Sequence, residues 1–182
     1  MARQPEPRWI SVLILGPHND GEDLAAALPA ELGRAQTIDG YFSTAPSIDA
    51  LMAMMETVRD ADVVVTMRPL GRWGMFLLGA ALADRKVVIE FGDKKRVVDH
   101  PLVLHYEDQE LVPGAGTVDR RAAVVGQLVS SWNRECHGGM DLAERVLRAS
   151  HAKGMLGDAA RFFDDLVPDL AEAAALADVE VA

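Results

Sequence analysis

A single cysteine, Cys136, stands among 182 residues, so neither an intrachain disulfide nor a multi-cysteine zinc site is available. That scarcity fits a reducing compartment. Basic residues are outnumbered, with Lys and Arg together at 18 against 28 Asp and Glu, for a formal net charge of -10. General affinity for a nucleic acid polymer is therefore not expected, although a local patch can still hold one small phosphate. Nowhere does an apolar run approach the ~20 residues that a membrane-spanning helix needs, and no membrane partner is expected. The first eight residues, polar and containing Pro5 and Pro7, lack the apolar segment of a signal peptide, which makes the expected location cytoplasmic. With 49% hydrophobic and 25% charged residues the composition argues against disorder, and the length suits one domain with an added helical region.

The most informative stretch runs from residue 61 to 91. Val63-Val64-Val65-Thr66-Met67 is a short, largely β-branched apolar run, and such a run fits a strand covered on both faces. A loop with two arginines follows, Arg68-Pro69-Leu70-Gly71-Arg72-Trp73-Gly74, then an amphipathic helix over Met75–Asp84, then a second apolar strand over Lys86–Phe91. This is a βαβ unit, whose crossover is right-handed. The loop leaving its first strand lies on the edge where parallel sheets take ligands.

Around that unit the chain reads as a repeating alternation. Trp9–Leu15 is a first strand ended by Gly16-Pro17-His18-Asn19-Asp20-Gly21. A helix over Glu22–Leu32 follows, with Asp20 as N-cap, Gly33 as stop and Pro29 as a possible kink. Thr37–Phe42 is a second strand, and Ser47 caps a helix to about Arg59 with Ile48, Leu51, Met52, Met55 and Val58 on one face. The methionines Met52, Met54 and Met55 are expected as flexible core filler. Gly92-Asp93-Lys94-Lys95-Arg96 is a charged turn, Pro101–Tyr106 a fifth strand, and Thr117–Trp132 a helix with Val118, Ala122, Val125, Leu128, Val129 and Trp132 inward. Residues 134–182 carry no strand signal and read as two helices, about Met140–His151 and Gly157–Ala177, parted at Gly154. The second bears the apolar stripe Phe162, Phe163, Leu166, Leu170 and Ala173, interrupted by Pro168. Such a tail packs on its own domain or on a twin subunit, so a homo-oligomer is expected. The predicted fold is α/β, an open, mostly parallel five-stranded sheet in the flavodoxin-like order 2-1-3-4-5, over residues 1–133, with a helical extension over 134–182. In that order Gly16–Asp20 and Arg68–Gly74 border one crevice between strands one and three.

Two pieces together resemble the nucleoside 2-deoxyribosyltransferase-like family: Leu13-Ile14-Leu15-Gly16-Pro17, and residues 60–89, with Asp60-Ala61-Asp62 before a strand, a Gly-containing loop, Gly79-Ala80-Ala81 in the helix and Lys86-Val87-Val88-Ile89 after it. The resemblance covers about residues 9–133. It implies a Rossmann-like site for a nucleoside or nucleotide and cleavage of an N-glycosidic bond through a covalent sugar–carboxylate intermediate. The family's nucleophile is a Glu in Gly-Thr-x-x-Glu-x-Gly. Here Gly79 anchors the match, Leu77 occupies the Glu position, and Arg72–Ala83 contains no carboxylate. Either another carboxylate, Glu90 or Asp20, has taken over as catalytic group, or the protein binds without this reaction.

The remaining candidates each have a plain alternative. Glu90 ends a strand, where a buried carboxylate can serve as acid or base; equally it can cap a turn or pair with Lys94, Lys95 or Arg96. Arg68 and Arg72 flank Gly71, and a guanidinium fork suits phosphate or carboxylate; equally either pairs with an acid such as Asp93. Trp73 can stack on a base or close the core. His18 can touch a ligand or stay exposed, and Gly16 and Pro17 allow close backbone approach. Cys136-His137 and Ser150-His151 are adjacent pairs that do not converge as a catalytic dyad needs. His18, His100, His105, His137 and His151 are scattered, so no metal is expected, and no cofactor either. Gly114-Ala115-Gly116 lacks the strand–helix context of a dinucleotide fingerprint and reads as a turn. Three readings stand: a nucleoside- or nucleotide-binding protein, an N-glycoside hydrolase or transferase with a relocated carboxylate, and an assembly protein acting through its tail.

Overall fold

Five strands whose side chains are almost all buried, save in the edge strand β2, form the centre of the molecule. In the computed structural model, residues 9–32, 34–42, 44–92, 98–108, 116–136 and 139–152 are described. In chain order the elements are β1 (Val12–Gly16), α1 (His18–Ala27), a short 3-10 turn (Ala30–Leu32), β2 (Ala35–Asp39), α2 (Ile48–Asp60), β3 (Val63–Met67), α3 (Arg72–Ala83), β4 (Val87–Gly92), β5 (Val103–Glu107), α4 (Thr117–Glu135) and α5 (Gly139–Ala152). The sheet order is β2-β1-β3-β4-β5 and every pairing is parallel. This is the order that the alternation of elements predicts.

Side chains alternate across a strand, so each central strand feeds two cores. Val12, Ile14, Val63, Val65, Val87, Ile89 and Leu104 face α1, α4 and α5, where Leu24, Val125, Val129 and Val146 meet them. Leu13, Leu15, Val64, Val88 and Val103 face α2 and α3, where Val58, Leu77, Leu78 and Ala81 meet them. Residues 93–102 separate β4 from β5, and Val98 packs onto this second layer beside the helices.

Several boundaries move from their sequence-based positions, each for a local reason. Helix α1 starts at His18 with Pro17 at its N-cap rather than Asp20, and Asp20 sits inside its first turn. It ends early because the residue before a proline is pushed out of the helical region: Leu28, before Pro29, has ψ 140. Strand β2 stops at Asp39, whose Oδ1 accepts the Tyr41 N–H at 2.9 Å and turns the chain. Strand β5 runs one residue further than expected, to Glu107, and begins at Val103. Ser47 does cap α2, its Oγ accepting the Ala50 N–H at 3.2 Å. The inward face of α2 is Leu51, Met54, Met55 and Val58, not the stripe that includes Ile48 and Met52. Those two are 80% and 57% exposed, so Met52 is not core filler. Helix α3 ends in a Schellman-type turn, Lys86 N–H to Ala81 C=O and Arg85 N–H to Leu82 C=O, with Arg85 at φ 56. The expected second tail helix, Gly157–Ala177, lies outside the described residues, and among the described residues no helix is long and apolar enough to cross a membrane.

One close approach shapes the carboxyl edge of the sheet. Gly40, just past β2, donates its N–H to the Gly16 carbonyl at 2.7 Å and accepts the Gly71 N–H at 2.8 Å. A Cβ on Gly74 would run into the Gly40 carbonyl, whereas one on Gly79 would meet nothing within 4 Å. Both glycines lie in α3, where alanine is intrinsically the better helix former. Gly79→Ala is expected to stabilise the fold by about 0.5–1 kcal/mol. Gly74→Ala is expected to destabilise it by about 1–3 kcal/mol through overpacking. Urea titrations of the two variants check the opposite signs.

Candidate functional site

The β1–β3 switch point is where an open α/β sheet offers its crevice. Here the Gly40 backbone bridges it, hydrogen-bonded to the end of β1 on one side and to the β3–α3 loop on the other. Gly40 therefore stands between the turns at 16–20 and 68–74, and neither of the two hollows described below is lined by a residue of the first turn. Gly16 is buried against the Met67 side chain, its Cβ position 3.1 Å from Met67 Cβ. His18 is exposed and pairs with Glu22 one turn on, at 3.4 Å. Asp20 is exposed on the same first turn. Gly71, Arg72 and Trp73 line one hollow of about 770 Å3 with Tyr41, Phe42 and Thr44. Trp73 stands half-buried with its ring edge-on to Phe76, centroids 6.1 Å apart.

Arg68 goes elsewhere. With Pro69, Leu70, Met75, Gly92, Asp108 and Arg121 it lines a cleft of about 540 Å3 over the carboxyl ends of β3, β4 and β5. Beneath it lies a buried polar row. The parallel register sets Thr66 beside Glu90 and Glu90 beside His105, all three on the α2–α3 side by alternation with Val64, Val88 and Val103. Glu90 is 2% exposed and His105 5%. Glu90 Oε1 accepts from Arg68 Nε at 3.3 Å and Nη2 at 2.8 Å. Its Oε2 lies 3.1 Å from His105 Nδ1. A lone buried carboxylate costs several kcal/mol, and this pairing offsets it. Lys94, Lys95 and Arg96, the partners considered from the sequence, lie outside the described residues, as does Asp93.

Two atoms in this row have no hydrogen-bond partner, Thr66 Oγ1 and His105 Nε2. Each such buried group costs roughly 1–3 kcal/mol. A hydrogen bond across the 3.1 Å contact to the Glu90 carboxylate needs a proton on His105 Nδ1, since the carboxylate only accepts.

A second ion pair closes the other side of the cleft. Arg121, in the second turn of α4, forms a fork with Asp108: Nε to Oδ1 at 2.8 Å and Nη2 to Oδ2 at 2.7 Å. Its Nη1 reaches Met67 Sδ at 3.2 Å and its guanidinium lies 5.8 Å from the Phe91 ring centre. Arg121 belongs to the inward stripe of α4 with Val125, Leu128 and Trp132, so its burial is readable from periodicity, although its partner is not. His105 is likewise readable as an inward position of a strand, but nothing local ties it to Glu90.

Cys136 is buried at the end of α4. Burial pushes its thiol up from 9.0 to about 11, against the pull of Arg145 and with smaller help from Asp141 and Glu135. A thiol so placed is no nucleophile at neutral pH. His137 lies outside the described residues. Among those residues no group of three His, Cys, Asp or Glu could hold a metal ion.

The thiol supplies a direct check on the core. Because the folded state holds its proton more tightly than the unfolded chain, its contribution to stability is full below pH 9.0 and is lost as pH rises toward about 11. Cys136 is expected to resist a disulfide reagent at pH 7.5 in the folded chain and to react as urea unfolds it. Rapid labelling in native buffer would contradict this placement. No family model matches the chain, and no curated protein matches it.

Proposed function

We propose that the chain is a nucleoside- or nucleotide-binding protein of the deoxyribosyltransferase-like class that lacks the standard glycosyl transfer. The observation that carries this reading is the state of the carboxylates. Leu77, at the position where that class has its nucleophile, is fully buried against the sheet. Glu90, the nearest substitute, is 2% exposed, and each of its oxygens faces a nitrogen partner. A nucleophilic oxygen must approach an anomeric carbon to about 3–3.5 Å, which a carboxylate so enclosed does not do. Asp20, the other substitute, stands exposed on α1, outside both hollows described above.

Binding is favoured by the cleft itself. It lies at the carboxyl edge of a parallel sheet, where such folds take their ligands. Its volume of about 540 Å3 falls within the range of small-molecule pockets, roughly 300–1,000 Å3. Its lining combines the charged side chains of Arg68, Arg121 and Asp108 with the apolar wall of Leu70 and Met75.

Isothermal titration of the full chain against a panel of nucleosides and nucleotides tests the reading. Heat of binding is expected from at least one member, unchanged in Asp20→Asn, with no free base released over hours. Absence of heat across the panel would overturn the binding assignment. Base release that disappears in Glu90→Gln would overturn the loss of catalysis and restore the hydrolase reading.

A further inference from the structure

We infer that the outward face of α3 is a contact surface for a second copy of this chain, the two helices lying antiparallel across a two-fold axis close to Gly79. The inference is independent of the ligand reading above.

Helix α3 has no charged residue after Arg72. A helix that is apolar all round is ordinarily enclosed on every side, and this one is enclosed on one. Gly74, Leu77, Leu78 and Ala81 are buried, while Met75 is 37% and Phe76 47% exposed. Gly79 and Ala83 are exposed as well, and a Cβ on Gly79 would meet nothing within 4 Å. Arg72, Met75, Phe76, Gly79 and Ala83 share one face by helical spacing. Helix α2, which packs against α3, and the turn before it add Tyr41, Ile48 and Met52, each more than half exposed. Five large side chains of about 150–250 Å2 uncovered to this degree leave roughly 500 Å2 of apolar surface per protomer. A stable interface takes about 600–800 Å2 from each partner, and the small residues and polar rim make up the difference.

The order of sizes along the stripe decides the occupant. Its large residues, Met75 and Phe76, stand in the N-terminal half of α3, and its small ones, Gly79 and Ala83, in the C-terminal half. A second α3 laid antiparallel sets the large pair of each helix over the small pair of the other, so the surfaces interdigitate. A parallel pair would set large on large. The antiparallel contact is isologous and closes as a dimer. The helix ends agree with it. Arg72 is exposed at the start of α3 and Asp84 just past its end, and neither has an ion pair among the described residues. Antiparallel packing brings each arginine to the far end of the other helix, where Asp84 and the helix dipole are negative. The other cations at that end are turned away: Lys86 Nζ donates to the Arg59 carbonyl at 2.6 Å, and Arg85 lies beside α5.

Sedimentation velocity on the full chain is expected to show a dimer with a dissociation constant of about 10 µM or tighter. Gly79→Glu and Phe76→Glu are each expected to weaken it about a hundredfold or more, since both set like charges against each other at the axis. A side chain at 79 clashes with nothing in its own chain, so Gly79→Glu is expected to keep the circular dichroism of the wild type. Cross-linking with a short bismaleimide reads the arrangement, because the native Cys136 is buried. Gly79→Cys is expected to link to itself, whereas Arg72→Cys, about 20 Å from its counterpart in the antiparallel pair, is not. A wild type still monomeric at about 100 µM, or a Gly79→Glu dimer of unchanged strength, would overturn the inference. Self-linking of Arg72→Cys would overturn the antiparallel arrangement. A dimer lost in Phe162→Glu and kept in Gly79→Glu would overturn it in favour of assembly through the tail.

Discussion

A carboxylate enclosed between a parallel sheet and two helices must be answered by donors, and Glu90 is the group around which the carboxyl edge of this sheet is arranged. Its two oxygens fix two neighbours at once: Arg68, leaving β3, and His105, on β5. The three consecutive strands β3, β4 and β5 are thereby tied by side chains as well as by their backbone ladder. On the opposite face of the same edge, Arg121 and Asp108 tie α4 to the end of β5. Two ion pairs, one on each face, frame one cleft. The four groups balance in charge, and each arginine is oriented by its acid beside the apolar wall of Leu70 and Met75.

The location of that cleft follows from glycine. Gly40 fills the switch point between β1 and β3, in contact with Leu70, Leu15 and Gly16 on all sides. A Cβ there would come within 2.9 Å of Leu70 Cδ2 and 3.2 Å of the Gly16 nitrogen, so the side chains around it would have to shift. With the Gly40 backbone at the switch point, the residues of the β3–α3 loop divide between two hollows. Arg68 looks into the cleft above Glu90, while Arg72 and Trp73 look into the neighbouring hollow beside Tyr41. Leu77, one turn further along α3, is fully buried in the core on the α2–α3 side of the sheet.

How much of this was legible in the sequence depends on the range of the interaction concerned. Val63–Met67 and Val87–Gly92 announce buried strands by composition, and the alternation with helices orders the sheet. Ser47 announces its cap, whereas α1, expected to run to Leu32 and stop at Gly33, ends before Pro29. Glu90 was a candidate because it ended a strand near the Gly-containing loop, as a carboxylate to substitute for the one absent from α3, and Arg68 because it followed a strand. Their pairing with each other was not readable, since it depends on strand register between segments 22 residues apart. Gly40 carried no local signal at all: its role comes from three chain segments meeting. The turn of α2 was misread because Ile48 and Met52 satisfy the same helical spacing as Met54 and Met55, and only the neighbouring α3 decides which pair is covered.

The central claim is that Glu90 and Arg68 act as a coupled pair inside the fold, and a double-mutant cycle measures that coupling most directly. Unfolding free energies of the wild type, Glu90→Gln, Arg68→Met and the double variant, from urea titrations at pH 7, close the cycle. A coupling energy of about 1.5–3 kcal/mol is expected for a charge-assisted bond of this kind. Single-variant losses that simply add, within about 0.5 kcal/mol, would contradict the account.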